Sequence, residues 1–446
     1  MHVYLTETRI NLILLYLSVF LTLWIGYIKF IIPVYEYSGF KWAPNEVKIV
    51  ESLLAIVLLA SSLPSRVKRP SDFFIHVHFM MPVLPMLVLY SASDLPRSYI
   101  YFVLSAFVVV CSVRRCKLPM IKGGFVSIRA MMWGLLFVAA ICIFSIILQG
   151  GLSYFNINLL RVYEFRNEAS QALPRIFGYF TPMTSKVILP SVLVLAVYDR
   201  KWLVAGLALI GSVMMFGLTG HKGPLFYPFL ALGVYFVMRT RRMVQLSLVC
   251  YIAVIFVSLA FYYMIDSNII VGSMSLRRVY FVPARLNFLY YDFFSSHPYT
   301  MLAESKLTFG LIPYPYDLTA THVIGYHYFD NELTGANTGW LGSGYMHFGF
   351  AGMLIYALMI GLLLSVLDRL AKKKELAVVG AIMVVPVLTS FQSSDLPTCV
   401  LTHGLLLCLF LIWSCKLDTQ VRSEPPKSTI ARFFRLMVGS SKYAHG

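Results

Sequence analysis

Long apolar runs, separated by short polar connectors, set the first constraint on this 446-residue chain. Crossing a hydrocarbon core of about 30 Å takes about 20 apolar residues in a helix. About twelve such runs occur, near residues 10–32, 47–63, 72–91, 97–113, 130–149, 183–198, 202–219, 223–238, 244–264, 338–365, 376–391 and 398–415. Hydrophobic residues make up 59% of the chain and charged residues 13%, too little polar surface to cover a soluble globule of this size. The expected fold is all-α, a polytopic integral membrane bundle of about twelve transmembrane helices in a single domain, 1–446. Two exported loops, 150–182 and 265–337, are enlarged and expected to contain short helices, and a basic tail spans 416–446. The first run is too long for a signal-peptide core and leads into Pro33-Val-Tyr-Glu36, not a small-residue cleavage site, so it is expected to be retained.

A net charge of +17 raises the possibility of nucleic acid, but its placement argues against that. Arg9, the connectors around Arg66, Arg114, Arg200, Arg239 and Arg369, and the tail together carry 24 of the 37 basic residues, all on one side of a twelve-span arrangement. The positive-inside rule makes that side the cytoplasm, with both termini inside. The seven cysteines sit in or beside apolar spans, with no paired framework in the exported loops, and are expected to be packing residues. The cytoplasmic connectors are too short for a catalytic domain, and the chain carries no P-loop, dinucleotide fingerprint, Cys-x-x-Cys or His-Glu-x-x-His. No cofactor is expected, and any reaction draws its energy from an activated substrate.

Chemistry is therefore sought in the exported loops. In the shorter one, a helical reading puts Leu159, Val162, Tyr163 and Arg166 on one face, with Arg161 beside Glu164. Arg166 either snorkels to the headgroups or points at an anionic substrate. In the longer one, Arg278, Arg285 and Asp292 are spaced by seven and seven, within about 40° of each other if the helix continues through Pro283. A cationic stripe through Arg278 and Arg285 among aromatic residues suits a ligand carrying phosphate and sugar, or else a juxtamembrane anchor. In the turn Thr219-Gly-His221-Lys222-Gly-Pro224, on the same exported side, Lys222 is either a further phosphate contact or an interfacial anchor. His322, His327, Asp330 and Glu332 supply candidate bases just before Asn337. The Asp330-Asn-Glu332 triplet is only loosely like a metal site, and no metal is assigned.

The segment Leu276-Arg277-Arg278-Val-Tyr-Phe-Val-Pro283, with Asn337-Thr-Gly-Trp-Leu-Gly-Ser-Gly-Tyr345 leading to Gly349-Phe-Ala-Gly352, resembles the O-antigen polymerase (Wzy-type) family. The likeness covers nearly the whole chain in layout, and about 30 residues in specific motifs. It implies a glycosyltransferase that joins oligosaccharide repeats carried on undecaprenyl pyrophosphate at the periplasmic face of the inner membrane. Arg166, Arg277 and Arg278 would stabilise the leaving pyrophosphate without a metal. Arg161, His221, Lys222, Arg285, Asn337 and Tyr345 would bind substrate, with His327 or Glu332 accepting the proton. Implied partners are the lipid-linked oligosaccharide, membrane lipids and a chain-length regulator, with no nucleic acid. The related O-antigen ligases carry a His-Asn pair where this chain has Ala336-Asn337, which favours polymerase over ligase. A transporter of lipid-linked oligosaccharide would be expected to show paired charges inside spans and repeated halves, and neither is seen.

Overall fold

The computed structural model describes residues 7–158, 174, 176–240, 242–265, 267–305 and 308–417. Every one of the twelve apolar runs falls on a helix. Among the described residues, eight helices are long and apolar enough to cross a membrane: Glu7–Ser38, Pro70–Ala92, Ile128–Leu148, Phe177–Tyr198, Trp202–Thr219, Met243–Met264, Trp340–Leu370 and Leu396–Ser414. Arg97–Val113, Gly223–Met238 and Leu376–Gln392 are apolar but shorter. The run at 47–63 forms Glu46–Ser62, which carries Glu46, Lys48 and Glu51 in its first two turns. The chain is thus a helical, membrane-embedded protein, and among the described residues no strand forms beyond an isolated bridge between Val126 and Cys415. Burial separates centre from periphery. Pro70–Ala92 has 94% of its apolar window enclosed by other helices, against 28% for Met243–Met264, most of whose surface faces outward.

Four of the helical stretches widen into π-helix, at Tyr27–Ile31, Phe79–Val83, Thr184–Ile188 and Ser273–Phe281. Each is followed at the second residue by a proline: Pro33, Pro85, Pro190 and Pro283. Proline has no N–H to donate, and its ring crowds the carbonyl four residues earlier. An extra residue in the turn relieves that crowding by moving the bond to the i→i+5 pairing. The last N–H before each proline makes that bond: Ile32 to Tyr27, Leu84 to Phe79, Leu189 to Thr184 and Val282 to Arg277. Carbonyls released this way find side chains. Lys29 O accepts from Tyr263 Oη at 2.9 Å, and Met80 O from Tyr251 Oη at 3.1 Å.

The run expected as one span at 338–365 is instead a broken helix. Trp340–Leu370 carries non-helical torsions at Phe348 and at Gly349, where φ is +60° and ψ −145°. Gly352 abuts the Gly344 carbonyl so closely that a Cβ there has no room. Eight residues along a straight helix would hold the two about 12 Å apart, so the chain folds back on itself. His347 pins the fold. Its Nδ1 accepts from the Leu302 N–H at 3.1 Å, which leaves the proton on Nε2 to donate to Asp395 at 3.2 Å. Tyr356 Oη donates to the same carboxylate at 3.1 Å. The long loop is thereby fastened to two helices.

Candidate functional site

The π segment decides which arginines of the long loop meet. An extra residue in the turn rotates everything after it by about 100° relative to an unbroken α-helix. A spacing of eight then replaces the spacing of seven that aligns side chains in an α-helix, and Arg277 rather than Arg278 shares the Arg285 face. Arg277 lies 4.4 Å over the Tyr35 ring. Arg285 donates through Nη1 to the Ser38 carbonyl and lies between the rings of Phe40 at 5.1 Å and Phe329 at 5.5 Å. Burial lowers the Arg285 pKa from its ordinary value, and the neighbouring Arg277 charge adds to the lowering. Arg277 Nε is buried without a hydrogen-bond partner, whereas Arg278 is exposed. These guanidinium groups hold residues 35–40 against the helix, each ring contact contributing about 0.5–2 kcal/mol.

Other residues of the long loop spread over its surface. His327 is exposed and lies edge-on to Phe293 at 5.2 Å, with the His297 ring 6.0 Å away. Asp292 accepts from Tyr328 Oη at 2.5 Å, and Asp330 ends helix Ala320–Phe329 in the left-handed region at φ +50°. Glu332 and Asn337 are exposed, Asn337 Nδ2 reaching only the Gly335 carbonyl at 3.5 Å. Tyr345 is enclosed, 3% exposed, in a cluster with Tyr99, Tyr291, Tyr299 and Phe350, so in this conformation its ring packs helices together.

His221 and Lys222 open onto a cavity of about 570 Å³. Gly220 at φ +64° ends helix Trp202–Thr219, and helix Gly223–Met238 starts three residues later, so the turn is as tight as its sequence implies. Facing it, the π stretch Thr184–Ile188 presents Lys186, and the opening of the last apolar helix presents His403. Thr181, Ser185, Thr219 and Tyr227 add to the polar lining. Thr181 Oγ1 is buried and has no hydrogen-bond partner among the described residues. Two lysines and two histidines meet there, and no carboxylate is among the described lining residues. Such a cavity can hold a phosphate or pyrophosphate, with lysines as movable point charges and hydroxyls as donors. Its volume falls within the usual range for small-molecule sites, about 300–1,000 Å³.

Of the residues singled out in the sequence, the structure brings His221 and Lys222 together, and Arg277 with Arg285 at a separate place. No residue of 27–40 or 270–294 is among those lining the cavity. Arg161 and Arg166 lie outside the described residues, although Pro174, just beyond them in sequence, is on the cavity wall. Lys186 is the residue that sequence reading passed over. Its signal was available: a single lysine in the apolar run 183–198, four residues before a proline. Ionisable groups within spans are costly and commonly functional. Among the described residues no three His, Cys, Asp or Glu side chains converge to hold a metal. No protein-family model, no curated protein and no solved structure matches the chain.

Proposed function

We propose that this chain extends a polysaccharide by joining repeats carried on undecaprenyl pyrophosphate, as the resemblance to the O-antigen polymerases implies. The supporting observation is the cavity where Lys186, from a membrane-spanning helix, meets Lys222 at a helix turn, with no carboxylate among the described lining residues. In this reading twelve helices span the inner membrane with both termini cytoplasmic, and the Lys222 turn lies on the periplasmic side. A hydroxyl of the incoming repeat attacks the anomeric carbon of the growing chain. The new glycosidic C–O bond forms as the C–O bond to pyrophosphate breaks, and the lipid pyrophosphate departs with the electron pair. Lys186 and Lys222 stabilise the charge that grows on that leaving group. The hydroxyl proton passes to a base, a role for which His221 is placed at the cavity and His327 and Glu332 are not among its described lining. Arg277 and Arg285 keep the neighbouring helix and residues 35–40 in register.

The test is extension of lipid-linked repeats in membranes carrying the wild type or the Lys186→Gln/Lys222→Gln variant. Loss of extension with protein still accumulating in the membrane supports the assignment. Full-length polymer from the double variant overturns it. An O-antigen ligase could use the same cavity, and it differs in its product, which is polymer attached to the lipopolysaccharide core.

A further inference from the structure

A second cationic cavity, of about 600 Å³, lies at the other end of the bundle. Helix Leu405–Ser414 connects the two. His403, two residues before its start, lines the Lys186 cavity, while the Trp413 and Cys415 carbonyls at its end accept from Lys374 Nζ at 3.2 Å and 2.9 Å. Lys374 lines the second cavity, about 15 Å along that helix. Three connectors far apart in sequence build the wall: 68–70, 114–117 and 365–376. Nine lysines and arginines line it, with Asp368 as the only acid among the described lining residues.

The floor is a finished ion network. Arg114 has a side chain only 3% exposed and donates through Nη1 to Asp72 at 2.7 Å and to Ser71 Oγ at 2.7 Å. Its Nε is buried and has no hydrogen-bond partner. Asp72 also accepts from the backbone N–H groups of Lys68 and Arg69, both at 3.0 Å. Asp368 accepts from Ser71 N at 3.0 Å and Ser71 Oγ at 2.7 Å, with Arg69 at 3.8 Å. Both nearby carboxylates are therefore used within the floor. Among the described residues no salt bridge joins Lys68, Arg115, Lys117 or Lys372 to an acid. A concave site with this charge balance, anchored on a buried arginine at a helix-bundle boundary, is built for a multiply charged anion.

We infer that this cavity binds a ligand carrying two phosphate groups, either a lipid headgroup with two phosphates at the membrane surface or a soluble pyrophosphate. Basic pockets between helices at that level recognise such headgroups, each lysine or arginine near the surface contributing about 1 kcal/mol. This site is independent of the polymerase reading, since no residue lines both cavities.

The test uses the purified full chain in neutral detergent, with binding followed by native mass spectrometry and by thermal stabilisation. The probes are cardiolipin in phosphatidylcholine micelles and, separately, inorganic pyrophosphate. Arg115→Gln/Lys117→Gln/Lys372→Gln removes three exposed charges from the cavity. Arg200→Gln/Lys201→Gln/Arg242→Gln removes three exposed charges that do not line it. Saturable cardiolipin binding that weakens about tenfold to a hundredfold in the first variant alone supports the site with a lipid source. The same pattern with pyrophosphate supports it with a soluble source. Equal weakening in the two variants, or no saturable binding of either probe, overturns it.

Discussion

Lys186 and Lys222 reach one cavity from different helices, and their chemistry makes separate predictions possible. If both neutralise the leaving pyrophosphate, Lys186→Gln or Lys222→Gln alone should slow extension by about 10²-fold, the usual cost of one preorganised donor. Extension rates on purified lipid-linked repeats measure this, and a change under about threefold in both would remove them from the chemistry. Gly349 is constrained by conformation. At φ +60° and ψ −145°, with Tyr299 Oη 2.7 Å from where a Cβ would sit, Gly349→Ala should cost about 1–3 kcal/mol. Thermal unfolding in detergent checks it. At this scale the sequence was readable where polarity stood out. His221 and Lys222 sit in a turn rich in glycine, and both line the cavity. Lys186 was hidden because one lysine barely changes the mean hydropathy of an apolar run.

Helical elements are where the sequence spoke most clearly, because an apolar run long enough to cross a bilayer has few ways to satisfy its backbone other than as a helix. All twelve runs fall on helices. Register within them was not readable from α-helical spacing. The four π stretches before Pro33, Pro85, Pro190 and Pro283 each shift the azimuth of the residues beyond them, which is why Arg277 shares a face with Arg285 where seven-residue spacing had pointed to Arg278. The fold-back at Gly349 was missed for a related reason: hydropathy does not register a change of chain direction. Pro190→Ala tests the register argument. It restores a backbone donor four residues after Lys186, so the bulge should close and turn Lys186 by about 100° relative to the helix C-terminal to it. The expected outcome is an unfolding temperature unchanged or raised, with extension reduced at least about tenfold. Unchanged extension would show that the π register does not position Lys186. In the same way Gly352→Val, which has no room against the Gly344 carbonyl, should lower the yield of folded protein severely, as a detergent size-exclusion profile would show.

As a whole, the molecule separates two cationic cavities at opposite ends of a bundle held by helices with few internal charges. Nine basic residues from connectors far apart in the chain gather in the second cavity. The spatial grouping was beyond the sequence, since the connectors that build each cavity are far apart along the chain. The central claim is that this bundle extends polymer by using the Lys186 and Lys222 cavity, and a lipopolysaccharide gel tests it most directly. A strain lacking the gene is complemented with the wild type or with Lys186→Gln/Lys222→Gln. The account predicts that the deletion collapses the ladder to core plus a single repeat, that the wild type restores it, and that the double variant accumulates in the membrane without restoring it. A ladder that persists in the deletion, or a deletion in which no repeat reaches the core at all, would contradict it.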